Sequence, residues 1–151
     1  MAYQAAVQLR QFGADIYVAD LATPRMARRA VEDIGTFEPI DFSPDGAKLL
    51  FRQFRSIEDA DLHLIDLATG ARTQLTPKDG KGGVAAARFS ADGKRVFLVT
   101  DRYGDFFEVV RLDPQKPNDA PERLARDLAW DVEGIDVSPD GKRAALVVNE
   151  E

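Results

Sequence analysis

The ten-residue phrase FSPDGAKLLF, beginning at Phe42, returns as FSADGKRVFL from Phe89 and as VSPDGKRAAL from Val137. The spacing is nearly constant: 47 residues separate Asp45 from Asp92 and 48 separate Asp92 from Asp140. A catalytic motif is normally used once. A phrase repeated at a fixed interval marks an architectural unit that buries its apolar face by stacking on its neighbours. No other feature of the chain restricts its fold as strongly.

Each phrase begins with an apolar or aromatic residue, passes through Ser-Pro-Asp-Gly or Ser-Ala-Asp-Gly, and continues into an apolar run. Pro44 and Pro139 preset φ for the second position of a turn. The aspartate can bond to nearby backbone amides, and Gly46, Gly93 and Gly141 accept a positive φ. The phrase therefore predicts β-hairpins with turns at 43–46, 90–93 and 138–141. A strand with period-two patterning follows the first two hairpins, DLHLIDLATG from Asp61 and FFEVVRLDP from Phe106; a third copy, DIYVADLATP from Asp15, has no such hairpin before it. Short outer strands follow near Ala27, Thr73 and Glu122. The segment Met26–Asp33 has some helical propensity, but the register of the repeat assigns it to an outer strand.

Four antiparallel strands in a repeat of 40 to 50 residues describe a β-propeller blade. The expected fold is all-β, about three four-stranded antiparallel blades of an incomplete β-propeller. In this register, residues 5–33 supply the second, third and outer strands of one blade. Residues 37–76 and 84–126 supply two whole blades, and residues 130–149 an inner and a second strand. Closed propellers use four to eight blades. Residues 1–151 are thus expected to be a partial propeller domain, a piece of a longer chain. Unpaired edges at both ends predict self-association or poor solubility, with the half blade at one end complementing the other.

Composition narrows the functional classes. With 20 basic and 26 acidic residues the formal charge is −6, which argues against nucleic acid, whose phosphates require a basic face. The chain has no cysteine, which excludes disulfides, thiolate metal sites and a cysteine nucleophile. No apolar run approaches the roughly 18 residues of a membrane helix, so no membrane partner is expected. The compartment stays open, cytoplasmic or periplasmic.

Few residues invite a chemical reading. His63, the single histidine, lies in mid-strand. In the sequence register its counterparts are Tyr17 and Glu108, an interchange that suits a partly exposed strand face and a structural role. Asp127, Asp131 and Glu133 offer oxygen ligands but lack the spacing and central glycine of a calcium loop. They read as a solvated loop and strand end. Gly80, Gly82 and Gly83 lack the Gly-Lys-Ser/Thr ending of a phosphate loop and read as a flexible interblade connection. Phe37, Phe106, Phe107 and Trp130 are expected to pack in the core or between blades, and Trp130 alternatively to line a docking surface. Asp45, Asp92 and Asp140 come in threes because the turns do, and general acid–base work is not expected of them. The residues thus nominate no catalytic, cofactor-binding or metal-binding site, and no cofactor.

Two families share the Ser-Pro-Asp-Gly blade. FLVTDRYGDFFEVVRLD (Phe97–Asp113), followed by LAWDVEGIDVSPDGKRAALVVNEE (Leu128–Glu151), resembles consecutive blades of bacterial prolyl-oligopeptidase-like serine peptidases. PIDFSPDGAKLLFRQFRSIEDADLHLIDLATGARTQLTP (Pro39–Pro77) resembles the blade before them. The TolB-type propeller is the second resemblance. In the peptidase family the N-terminal propeller is a lid over an α/β-hydrolase domain carrying a Ser-Asp-His triad, and its channel limits which peptides reach the serine. The resemblance therefore implies a hydrolase domain of the parent chain as partner and peptides as substrates. The catalytic parts are not in these residues: Ser43, Ser56, Ser90 and Ser138 include no Gly-x-Ser-x-Gly elbow. No activity is expected from this chain alone. The TolB resemblance implies a protein-interaction module without an enzyme. A propeller lyase acting on sugars would want several histidines around a metal.

Overall fold

The computed structural model describes residues 2–5, 13–79 and 81–150. The strands are β1 (Ala2–Ala5), β2 (Gly13–Val18), β3 (Arg28–Val31), β4 (Gly35–Phe42), β5 (Lys48–Ser56), β6 (Asp59–Asp66) and β7 (Arg72–Gln74). They continue with β8 (Ala86–Phe89), β9 (Val96–Thr100), β10 (Glu108–Leu112), β11 (Glu122–Arg123), β12 (Asp131–Val137) and β13 (Ala144–Asn149). Helical structure among the described residues is a single 3₁₀ turn at Pro24–Met26. It covers only the first residue of Met26–Asp33, and β3 takes most of the rest as an outer strand.

Two complete blades are present. β4-β5-β6-β7 and β11-β10-β9-β8 are each hydrogen-bonded in sequence order as antiparallel meanders. Before them stand β1, β2 and β3, with β2 in the middle. After them β12 and β13 form a lone hairpin. The second strand of the first piece lies at Ala2–Ala5, ahead of the boundary expected at residue 5. Among the described residues, parallel contacts occur where a strand start meets a passage between blades: Gly13 and Ala14 beside Gly35 and Thr36, and the bridge Asp59–Gly82. Each passage carries the chain from an outer strand back to the next inner one, so a brief parallel contact there leaves the antiparallel blades intact.

The three hairpin turns are built alike. Gly46, Gly93 and Gly141 have φ of 70°, 71° and 71°, and each N–H bonds the serine carbonyl three residues earlier at 2.8 Å. The serine hydroxyl donates to the aspartate at 2.6, 2.7 and 2.6 Å. The same aspartate accepts an amide from Ala47, Lys94 or Lys142 at 3.0 Å. The serine oxygen in turn accepts the amide of Lys48, Arg95 or Arg143. The serine hydroxyl first, and the amide second, hold Asp45, Asp92 and Asp140 below the usual carboxylate range. Their repetition is a matter of turn chemistry.

The apolar runs bury both faces of each blade. In β5, Leu49 and Phe51 face the first piece with Ile16, Val31, Phe37 and Ile65, while Leu50 faces the next blade with Leu62, Leu64 and Leu75. Against that second face β8–β10 set Ala87, Phe89, Val96, Leu98 and Val110. A smaller cluster of Val99, Val109, Val132 and Ile135 joins the third blade to the final hairpin. Each fully buried Leu, Val or Phe contributes roughly 1.5–3 kcal/mol, so the interfaces between blades hold the fan together.

Candidate functional site: the groove along the inner strands

β4, β8 and β12, the inner strands, lie side by side. Asp41 on β4 accepts the Phe89 amide of β8 at 2.9 Å, and Val132 of β12 donates to the Phe107 carbonyl at 2.9 Å. Together with β13 they enclose an open groove of about 540 Å³. Its charged lining comes from Glu38, Arg52, Arg88, Glu133 and Asp136.

These charges are placed by the strands beneath them. Thr36–Pro39 run against Phe51–Phe54, which sets Glu38 opposite Arg52. The Arg52 guanidinium grips Glu38 through Nε at 2.9 Å and again through Nη2, and reaches the Val84 carbonyl at 2.6 Å. Arg52 thereby ties its own blade to the next. Arg88 stands 3.9 Å from Asp136. Asp41, Arg88 and Asp136 each precede a hairpin serine by two residues, so a single repeat position supplies three of the charges near the groove. Burial raises the Asp41 carboxyl above its ordinary value, against the Phe89 amide and the Arg88 charge, which lower it. An arrangement of alternating fixed charges at a strand edge can hold a polar segment of another chain. It offers no nucleophile paired with a base.

The residues singled out in the sequence lie elsewhere, with one exception. His63 is buried at 7% exposure, which corrects the partly exposed face expected for it. Its ring stacks on Phe51 with centroids 5.1 Å apart, and Nε2 lies 3.3 Å from Gln53 Oε1. Burial, helped by the Arg72 charge, pushes its pKa down to about 4. The register also needs correction. Phe51 pairs with His63 and Leu98 with Val110, while Gln53 pairs with Asp61 and Thr100 with Glu108. The counterpart of His63 is therefore Val110, and Glu108 matches Asp61. A slip of two residues keeps every side chain on its face, so the sequence alone could not detect it.

Asp131 is the half-buried first residue of β12 and accepts the Phe107 amide at 2.8 Å. Glu133 lines the groove and Asp127 is exposed. Among the described residues no group of three or more His, Asp or Glu side chains is placed to hold a metal ion. Gly80 lies outside the described residues. Gly82 and Gly83 belong to a clamped connector and not a flexible one. The Gly82 carbonyl accepts from Ala60, and the Gly83 amide donates to Asp101 at 2.6 Å. A Cβ on Gly82 would stand 2.1 Å from Arg102 Cγ, and one on Gly83 2.3 Å from the Ile57 carbonyl. Close backbone approach, and not phosphate binding, requires these glycines.

Arg102 completes that clamp. Its side chain, 3% exposed, bonds Asp61 at 3.0 Å, Asp79 at 2.9 Å and the Ala60 carbonyl at 2.7 Å. Asp61 also receives Thr76 at 2.9 Å and Arg55. Phe37 is fully buried and Phe107 packs beside Val99 and Val132, as expected. Phe106 and Trp130 are instead substantially exposed, Trp130 at 43%. Phe106 stands in the loop before β10, and Trp130 immediately precedes β12. Sequence reading missed Glu38, Arg52 and Arg88; their signal was the place of Glu38 and Arg88 on inner strands and of Arg52 opposite Glu38 on β5, legible only once the sheets are assembled.

The axial groove between stacked four-stranded blades directs comparison to known propellers. The chain is similar to TolB and to prolyl-peptidase propellers. A TolB-type protein of Agrobacterium tumefaciens superposes with a TM-score of 0.75 at 20% identity, over 98% of this chain and 50% of that one. TolB of Acinetobacter baumannii gives 0.72 at 26% identity, over 96% and 34%. A prolyl endopeptidase gives 0.76 at 16% identity, over 97% and 23%. The chain spans half or less of the length of these structures. No protein-family model matches the chain, and no curated protein matches it significantly in sequence. Both resemblances read from the sequence thus hold at the level of the propeller fold, and the inner-strand groove of this chain is a propeller groove.

Proposed function

We propose that the chain is a non-catalytic propeller segment, part of a longer chain, that gates or positions peptide substrates for a hydrolase domain outside these residues. The observation that carries this reading is the groove itself: Glu38, Arg88, Glu133 and Asp136 of the three inner strands and Arg52 of β5 line one open face. Such a lining suits the passage of a polar, extended peptide, since backbone amides and charged termini find partners of either sign. Three of the four serines are engaged within their turns. Ser43, Ser90 and Ser138 are committed to their turn aspartates, and His63 stacks on Phe51, away from any of them. The likeness to a prolyl endopeptidase propeller supports the assignment.

A second reading is favoured by the 26% identity to the Acinetobacter TolB: a protein-interaction propeller without an enzyme. The coding DNA beyond Glu151 separates the two. A frame that runs through further Ser-Pro-Asp-Gly hairpins into Gly-x-Ser-x-Gly, then Asp and His, supports the peptidase lid. A frame that closes the propeller and stops rejects it and leaves the interaction module.

A further inference from the structure

The rim of the fan holds a second cavity, of about 690 Å³, that shares no residue with the inner-strand groove. It lies between the two whole blades. Leu75, Leu112 and the ring of Tyr103 make its floor, and all three belong to or pack on the buried cluster that joins those blades. Its far wall is the loop 113–121, nine residues long against the five of loop 67–71 at the same place in the preceding blade. Pro114, Pro117 and Pro121 stiffen this loop. The amides of Gln115 and Lys116 bond back to Asp113, and the Asp119 amide bonds the Lys116 carbonyl. The cavity is formed in advance of any ligand, so little order has to be gained on binding.

One side of the cavity is a sheet edge. β7 ends its sheet and pairs only with β6. The Asp66 amide donates to the Ala71 carbonyl at 2.9 Å and the Leu75 amide to the Leu62 carbonyl at 2.8 Å. Residues 71, 73 and 75 therefore turn their backbone groups toward β6. By alternation Arg72 and Gln74 turn theirs outward, where no strand receives them among the described residues. Side chains alternate as well, so Thr73 shares its face with Leu75, the face that borders the cavity. Lys78 stands just past the edge and has no ion-pair partner among the described residues. The Tyr103 hydroxyl and the Asn118 side-chain amide, also on the lining, make no hydrogen bond among them either.

We propose that this cleft takes an extended peptide segment of a partner protein as a further strand of the blade. The segment pairs with the outward backbone groups of Arg72 and Gln74. It sets one apolar side chain onto Leu75, Leu112 and Tyr103 and carries an acidic residue to Lys78. Main-chain bonds to an edge supply affinity, and a pocket for an alternate side chain supplies selectivity. A second copy of this chain does not fit through the same edge, because its β7 offers Arg72, Thr73 and Gln74 and no apolar side chain for the cavity. The site is on the outer rim, and the inference is independent of the peptidase reading of the inner-strand groove.

The probe is a set of fluorescein-labelled seven-residue peptides with Leu, Phe or Ser at the centre and Asp or Lys two positions on. Fluorescence polarisation follows their titration with the purified chain to about 300 μM, a range that reaches weak recognition. Peptides with Leu or Phe and Asp should bind, and a change to Ser or Lys should weaken them about tenfold. N-methylation of one alternating set of amides should abolish binding and of the other set spare it, because only every second residue of an added strand bonds its neighbour. Gln74→Pro removes an outward N–H, which an edge strand tolerates, and Ala120→Trp fills the cavity from an exposed position. Each should weaken binding about tenfold or more with the far-ultraviolet circular dichroism unchanged. Lys78→Glu should reverse the preference from Asp to Lys, a readout that misfolding cannot imitate. The proposal is overturned by no binding in this range or by binding indifferent to all three substitutions. Indifference to N-methylation would mark a site for a small apolar molecule, and self-association abolished by Gln74→Pro would put a second copy at the edge; either result also overturns it.

Discussion

Acid should destabilise this protein through a single side chain before its carboxylates titrate. His63 is enclosed by Phe51 and its own blade and faces Arg72, and its pKa falls from 6.5 to about 4. The sign follows directly. The unfolded chain binds a proton near pH 6.5 and the folded chain does not, so stability is complete above that value and declines as the pH falls toward 4. At 1.36 kcal/mol per unit the full displacement corresponds to about 3 kcal/mol, and hydration of the ring edge beside the partly exposed Arg72 reduces this to about 2 kcal/mol. Asp41, whose carboxyl is raised by burial, acts in the opposite direction over the lower part of the window. A difference against His63→Gln removes that contribution. Urea unfolding followed by far-ultraviolet circular dichroism at pH 7 and pH 4.5, at one protein concentration, measures it. The wild-type chain should lose about 2 kcal/mol more than His63→Gln across that interval. Parallel losses in the two proteins would refute the buried, uncharged imidazole.

Three further outcomes follow from the packing. Gly82→Ala should cost more than about 2 kcal/mol, because φ is +85° and its Cβ would drive into Arg102; Gly46→Ala, at φ +70° with nothing within 4 Å, should cost only about 1 kcal/mol in the same urea assay. Asp61→Ala removes the main partner of the buried Arg102 and should destabilise the chain by about 3–5 kcal/mol, while Asp79→Ala, at the exposed arm of the same guanidinium, should cost far less. A fluorophosphonate probe should leave the purified chain unlabelled, as judged by intact mass; stoichiometric labelling of one serine, abolished by His63→Ala, would contradict the non-catalytic assignment.

The local structure of this protein was written in its sequence. Ser-Pro-Asp-Gly specifies its turn with groups two to five residues apart, so the three hairpins, their glycine conformations and the 47- and 48-residue period needed nothing distant to be legible. The apolar runs between turns were readable for the same reason, and with them the all-β fold. What the repeat could not convey is which residues meet across blades. His63 looked like an exposed strand position because its burial depends on Phe51 and on the first piece of the fan, and its true counterpart, Val110, is defined by hydrogen bonds to a second strand. The glycine connector looked loose until Arg102, some 20 residues onward, proved to fill the space beside Gly82. Glu38, Arg52, Arg88 and Asp136 are ordinary charged residues along the chain; only the pairing of β4 with β5 and the convergence of the three inner strands make them one groove. Turn geometry is local and survives in any context. Burial and charge pairing are properties of the stacked blades, so tertiary structure alone decided them.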